Sequence, residues 1–242
     1  MKAGAKPYFV ARSHDGVPSD VPAARWLSRW PDTAATEAMV VDAAAEAGLS
    51  SLELLLGSEL GRLDAHTSAH CARVARLALA LATDLGLAGE QREILYLAAR
   101  VHDVGKVGIP DAILHKARAL SGVEWEIMKS HSLRGEHIVR TGLRVPLGEQ
   151  IARVVRHHHE HYDGDGYPDG LRGHAIPLAS RILAVVDNYD AIRVARDYHP
   201  PRSHRSTLAI LASERGTKHD PLILDALLSH DRHWFEQQAA LD

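Results

Sequence analysis

The chain has a single cysteine, Cys71, in 242 residues. That excludes a disulfide within the chain and a cysteine-rich zinc site. Aromatic residues make up 5% of the sequence, while alanine and leucine are plentiful. Such a composition favours helices packed closely through small side chains over a β-rich fold. No long basic run occurs and the formal charge is −3, so a nucleic-acid-coating surface is not expected. Long apolar runs are missing too. The best of them, Leu77 to Ala82, is stopped by Asp84, well short of the ~20 residues of a membrane span. The first residues lack the basic, apolar, small order of a secretory leader. A soluble protein of the reducing cytoplasm is expected, with no membrane or nucleic-acid partner.

What remains is 45% hydrophobic, enough for the core of one large domain. Residues 1–50 read as an N-terminal extension of unknown role. Pro7, Pro18, Pro22 and Pro31 interrupt it, and Thr33 to Ala47 forms a plausible helix closed by Gly48. Residues 51–242 read as one all-α domain, because no stretch alternates with period two. Ser50 and Glu53 form a capping-box pattern. A helix then runs from about Asp64 to Leu85, with Val74, Leu77, Leu81 and Leu85 as its stripe. The next helix spans about Ala88 to Asp103. Ser121 caps one running to about Thr141, Pro146 opens another, and Pro177 opens the last long one, to about Asp197.

The 17 histidines are the compositional oddity. His66 and His70 extend the first stripe backwards, four residues apart, with both imidazoles expected on the core side. That is a metal-chelating spacing, although either alone would more often be structural. Cys71 falls about 100° round the helix and reads as a packing residue. His102-Asp103 precedes the helix stop Gly105, with Lys106 after it. His131 lies on a stripe between Met128 and Gly135. His157, His158, His159 and His161 form the densest supply of nitrogen donors, and His158 and His159 continue the stripe of Val154 and Val155. Asp163-Gly164-Asp165-Gly166-Tyr167-Pro168-Asp169-Gly170 must be a tight, structured loop. Asp187 lies in the last long helix, followed by Arg193 and Arg196.

The order His70, His102-Asp103, Asp187 resembles the HD superfamily of metal-dependent phosphohydrolases. The stretch His158-His159-Glu160-His161-Tyr162-Asp163-Gly164-Asp165-Gly166-Tyr167-Pro168 resembles its HD-GYP subfamily, the cyclic di-GMP phosphodiesterases. His102 to Asp111, Leu171-Arg172-Gly173 and Gly216 to Pro221 add to the likeness, which covers roughly residues 60 to 230. Three stretches depart from the pattern: the additional His157, Lys116-Ala117-Arg118 in place of Lys-Pro-Gly, and His199 where a fixed cation is common.

The resemblance implies an HD-domain helical bundle with a GYP loop, preceded by the short helical extension. It implies metal ligands at His70, His102, Asp103, His131, His158, His159 and Asp187, with Asp103 as the bridge between two divalent ions and His66 as the place for a third. It implies Lys106 beside the scissile phosphate, a catalytic role shared by Asp103 and Lys106, and substrate contacts from Lys106, Tyr167, Arg193 and Arg196. A donor set of nitrogen and oxygen without thiolate suits iron or manganese, with zinc or nickel as substitutes. Two cations ~3.5–4 Å apart acidify water and neutralise a phosphodiester. The expected activity is hydrolysis of cyclic di-GMP to linear pGpG and onward to GMP. A non-catalytic cyclic di-GMP-binding or interaction module, and a phosphohydrolase of another cyclic dinucleotide, are the alternatives. Protein partners at the GYP loop and a homodimer are also expected from the family.

Overall fold

A computed structural model describes residues 65–142, 147–194 and 202–239. The expected helices at 33–47 and 50–60, together with Arg196 and His199, lie outside the described residues. So does the boundary between the extension and the domain.

The described residues are helical, with no strand among them beyond one isolated bridge, Arg215 to His219. Helix α1 (Ala65–Asp84) buries Val74, Leu77, Ala78 and Leu81 and ends before Gly86, whose φ of 77° lies in the left-handed region. Helix α2 (Glu90–Val101) opens with Glu90 and Glu93 in its first turn, where carboxylates complement the helix dipole. It packs along α1 and buries Leu95, Ala98 and Val101. His102 caps it, and Asp103 leads into a 3-10 turn, Val104–Gly108.

A short helix, α3 (Asp111–Leu114), precedes α4 (Gly122–Lys129) and α5 (His131–Gly142). The capping box at Ser121 and Glu124 forms as the sequence predicts. The single helix predicted from there to Thr141 is instead two, broken at Ser130. The Ser130 hydroxyl donates to the Ile127 carbonyl at 2.6 Å, and its amide bonds the same carbonyl at 3.1 Å. A side chain competing for backbone partners tightens the turn. His131 is the first residue of α5.

Helix α6 (Gly148–Arg156) lies against α5 and α2, and α7 (Leu178–Arg193) against α1. Helices α8 (His204–Ser213), α9 (Pro221–Leu228) and α10 (Arg232–Ala239) complete the bundle. One core joins α1, α2, α5, α6 and α7 through Leu81, Leu95, Ile138, Ile151, Val155 and Ile182. The 3-10 turn meets α5 at Gly105. A Cβ there would lie 2.0 Å from the His131 carbonyl oxygen and 2.5 Å from the Gly135 amide. Only glycine permits that approach, and it brings the His102-Asp103 turn against the start of α5.

Candidate metal centre

Five separate elements converge on one space. His70 comes from the interior of α1, His102 and Asp103 from the end of α2, His131 from the start of α5, His158 and His159 from the turn after α6, and Asp187 from α7. Their donor atoms form two groups, His70–His102–Asp187 and His131–His158–His159, each with ligand atoms within 4.8 Å of one another. Asp103 stands between them. Its Oδ2 is 3.7 Å from His102 Nε2, and its Oδ1 is 3.7 Å from His131 Nε2. Asp187 Oδ1 lies 3.0 Å from His70 Nε2 and 3.7 Å from His102 Nε2.

The orientation of the rings follows from helix ends. The Nδ1–H of His102 donates to the Ala99 carbonyl at 2.8 Å, that of His131 to Met128 at 2.8 Å, and that of His158 to Val155 at 2.6 Å. Each acceptor lies in the last turn of a helix, where carbonyls have no intrahelical partner. A carbonyl can only accept, so a neutral ring carries its proton on Nδ1 and presents a lone pair at Nε2. His102 Nε2 is buried without a hydrogen-bond partner, and His131 Nε2 faces His158 Nε2 at 3.4 Å. Lone-pair nitrogens turned on one another, with carboxylates between them, fit a divalent cation.

The electrostatics divide the centre. Burial pulls the His70 imidazole down, but Asp187 and Asp190 outweigh it and hold it at about 9. His102 is likewise raised well above its ordinary range, because Cys71, Asp103 and Asp187 together overcome burial. Burial opposes ionisation of Asp103 and Asp187 as well. Lys106 and the imidazoles prevail for Asp103, and His102 and His70 for Asp187, so both stay well below the usual carboxylate range. On the other side, burial pushes His131 down to about 4 and His158 to about 3, and His159 well below its ordinary value.

Lys106 Nζ lies 2.6 Å from Asp103 Oδ2. Tyr167 packs its ring against His159 (centroids 4.9 Å apart) and at 6.5 Å from His131. Burial, with Asp103 and Asp187, raises its phenol well above 10, so it keeps its proton. The loop carrying it is tightly held. Buried Glu160 accepts from the amides of Asp169 (2.8 Å) and Leu171 (3.1 Å), and Arg156 grips Asp169 through both oxygens. His157 belongs to this latch, with Nε2 2.9 Å from Asp169 Oδ2. It therefore turns away from the centre, and His158 and His159 face it.

One expectation differs from the structure. His66 is exposed and joins neither donor group. A shared stripe did not give shared burial, because Asp187 and Asp190 of α7 cover His70, one turn further along the helix. Arg193 donates to the Arg202 carbonyl at 3.0 Å, beside Tyr189. Sequence reasoning also missed three neighbours. Asp190 and Arg73 hold His70, and Cys71 lies with His102 and Asp103 rather than in plain packing. The spacing of three from Asp187 to Asp190, and from His70 to Arg73, was the available signal, since residues three apart share a helix face.

A helical bundle whose histidines and aspartates converge in this order defines a metal-binding protein of the HD type. A family model described as HD domain matches residues 51–223, and the chain belongs to that family. The likeness to the HD-GYP subfamily stands with it, and the family implies a divalent metal cofactor. Over 165 residues the chain is 42% identical to the cyclic di-GMP phosphodiesterase response regulator RpfG of Xanthomonas campestris pv. campestris (strain 8004), covering 68% of this chain and 43% of that protein. It is 37% identical over 176 residues to the 3'3'-cGAMP-specific phosphodiesterase 2 of Vibrio cholerae, covering 72% and 33%. The chain spans less than half the length of these relatives. Among solved structures it superposes on a cyclic GMP-AMP specific phosphodiesterase of V. cholerae, V-cGAP3, with a TM-score of 0.55 at 20% identity, over 72% of this chain and 46% of that one. That likeness concerns the fold. No described helix is long and apolar enough to cross a membrane.

Proposed function

We propose that residues 51–242 form a metal-dependent phosphodiesterase domain acting on cyclic di-GMP, giving linear pGpG and then GMP. The observation that carries this reading is Asp103, with one oxygen towards each histidine group and Lys106 beside it. A pure binding module needs no such concentration of buried donors. The names of the relatives support the substrate class.

His70, His102 and Asp187 would hold one divalent ion, His131, His158 and His159 a second, with Asp103 between them; iron or manganese suits these donors. When bound, such cations supply Lewis-acid charge against the phosphodiester and acidify water. The remaining roles belong to side chains. Lys106 offers an ammonium to the phosphate or the leaving oxygen, in a site where burial strengthens that attraction. Tyr167, protonated at neutral pH, offers a hydroxyl and a ring face at the rim. Arg196 would clamp a phosphate through its planar fork. The tightly tied GYP loop positions Tyr167 and keeps His159 against His131. A reducing cytoplasm suits the lone cysteine.

Incubating manganese- or iron-loaded protein with cyclic di-GMP and resolving the products tests the reading. Linear pGpG or GMP is expected, and intact substrate with both metals overturns it. The second reading keeps the chemistry and changes the substrate to 3'3'-cGAMP, as the names of three V. cholerae relatives favour. Competition between the two dinucleotides decides between them.

A further inference from the structure

We infer that Asp190, braced by Arg73, is a positioning residue that aims His70 at the metal and strengthens its donation, serving the His70–His102–Asp187 group alone. This rests on the metal-dependent reading above.

His102, His131 and His158 take their ring orientation from carbonyls in the last turns of helices. His70 has no such partner to hand, because it sits inside α1, where the backbone carbonyls are already engaged. Its orientation must come from another element, and α7 supplies it. Asp190 Oδ2 lies 2.6 Å from His70 Nδ1, while Asp187 Oδ1 lies 3.0 Å from Nε2. The ring is thus held at both nitrogens by carboxylates one turn apart. Asp190 is itself fixed, since Arg73 donates to Oδ1 through Nε at 2.8 Å and to Oδ2 through Nη2 at 2.9 Å. A carboxylate serving only to neutralise Arg73 would be satisfied by that fork. The contact to His70 is nevertheless the shortest of the three. A carboxylate on the remote nitrogen of a metal-binding imidazole fixes its tautomer and raises its basicity.

The test titrates Mn²⁺ alone into metal-free full-length protein, with Co²⁺ visible absorption reporting the ligand environment and a thermal melt of the metal-free state as control. Asp190→Asn keeps the shape and removes the charge. It is expected to weaken one binding step by roughly 10–100-fold and leave the other unchanged. Arg73→Met, which leaves Asp190 in place but unbraced, should weaken the same step by less, and Arg73→Lys should restore part of it. Unchanged affinity in Asp190→Asn overturns the inference, and so does a lower melting temperature with unchanged affinity, which marks a plain structural ion pair. Should Asp190→Asn fail to fold, the Arg73 pair decides, and equal affinities in Arg73→Met and wild type overturn the inference. Absence of metal binding in the wild type would instead overturn the proposed function.

Discussion

The two halves of the centre contain similar residues and behave differently. His131, His158 and His159 are low-pKa imidazoles in a buried pocket, and two of them are oriented by backbone carbonyls. His70 is raised by carboxylates and oriented by one, and His102 is raised by Cys71 together with carboxylates. The first half offers neutral nitrogen donors to an incoming cation. The second offers negative charge already matched to its imidazoles. The difference comes from α7, which contributes two carboxylates one turn apart to one half only.

The most damaging change should be the one that strikes both halves. Asp103→Ala removes the carboxylate they share and is expected to lower turnover by roughly 10³-fold or more, with bound metal falling in parallel. Full metal content in this variant, by elemental analysis, would separate the halves altogether. Next, Lys106→Ala should lower turnover by roughly 10²–10³-fold while metal content holds, because Lys106 pairs with Asp103 without being a donor to a cation. Loss of metal in that variant would make Lys106 a structural counter-ion instead.

His70→Ala and His158→Ala sharpen the contrast directly. Each is expected to lose the ion of its own half and keep the other, as read by metal titration. Equal loss of both ions would show the halves to be one cooperative unit. Gly105→Ala should destabilise the fold by about 1–3 kcal/mol through overpacking, since its Cβ would meet the backbone of His131 and not a yielding side chain. A chemical denaturation midpoint checks it.

The smallest effect is in pH, measured on metal-free protein. His70 binds its proton more tightly when folded. That stabilisation is complete below its ordinary 6.5 and is lost as pH rises through about 9. His131 and His158 bind theirs less tightly when folded, so stability falls as pH drops below 6.5 towards about 4 and 3. Melting temperatures should therefore peak near neutrality, with the alkaline decline reduced by His70→Ala, His102 supplying the remainder, and the acid decline reduced by His158→Ala.

Much of this was legible in the sequence, for physical reasons that differ by element. The apolar stripes predicted α1, α2 and α7, because periodic burial is written directly in residue order. His158 and His159 could be placed by extending the stripe of Val154 and Val155 one turn. The break at Ser130 was hidden, because it depends on a hydroxyl taking a carbonyl and not on glycine or proline. His66 was misplaced because a stripe reports direction, while burial needs a neighbour above it. Arg193 could not be placed from sequence, because a long side chain can turn to any carbonyl within its reach, here that of Arg202. Asp190 went unseen since a carboxylate in mid-helix is normally solvated, and only the packing of α7 on α1 turns it inward.

The reading of the protein stands most directly on one measurement: elemental analysis of anaerobically purified protein, coupled to a product-resolved assay on cyclic di-GMP with the same sample. Two divalent ions per chain, and conversion to pGpG or GMP that is lost on chelation and regained on reloading, is the expected result. Fully metal-loaded protein that leaves the dinucleotide intact would contradict it.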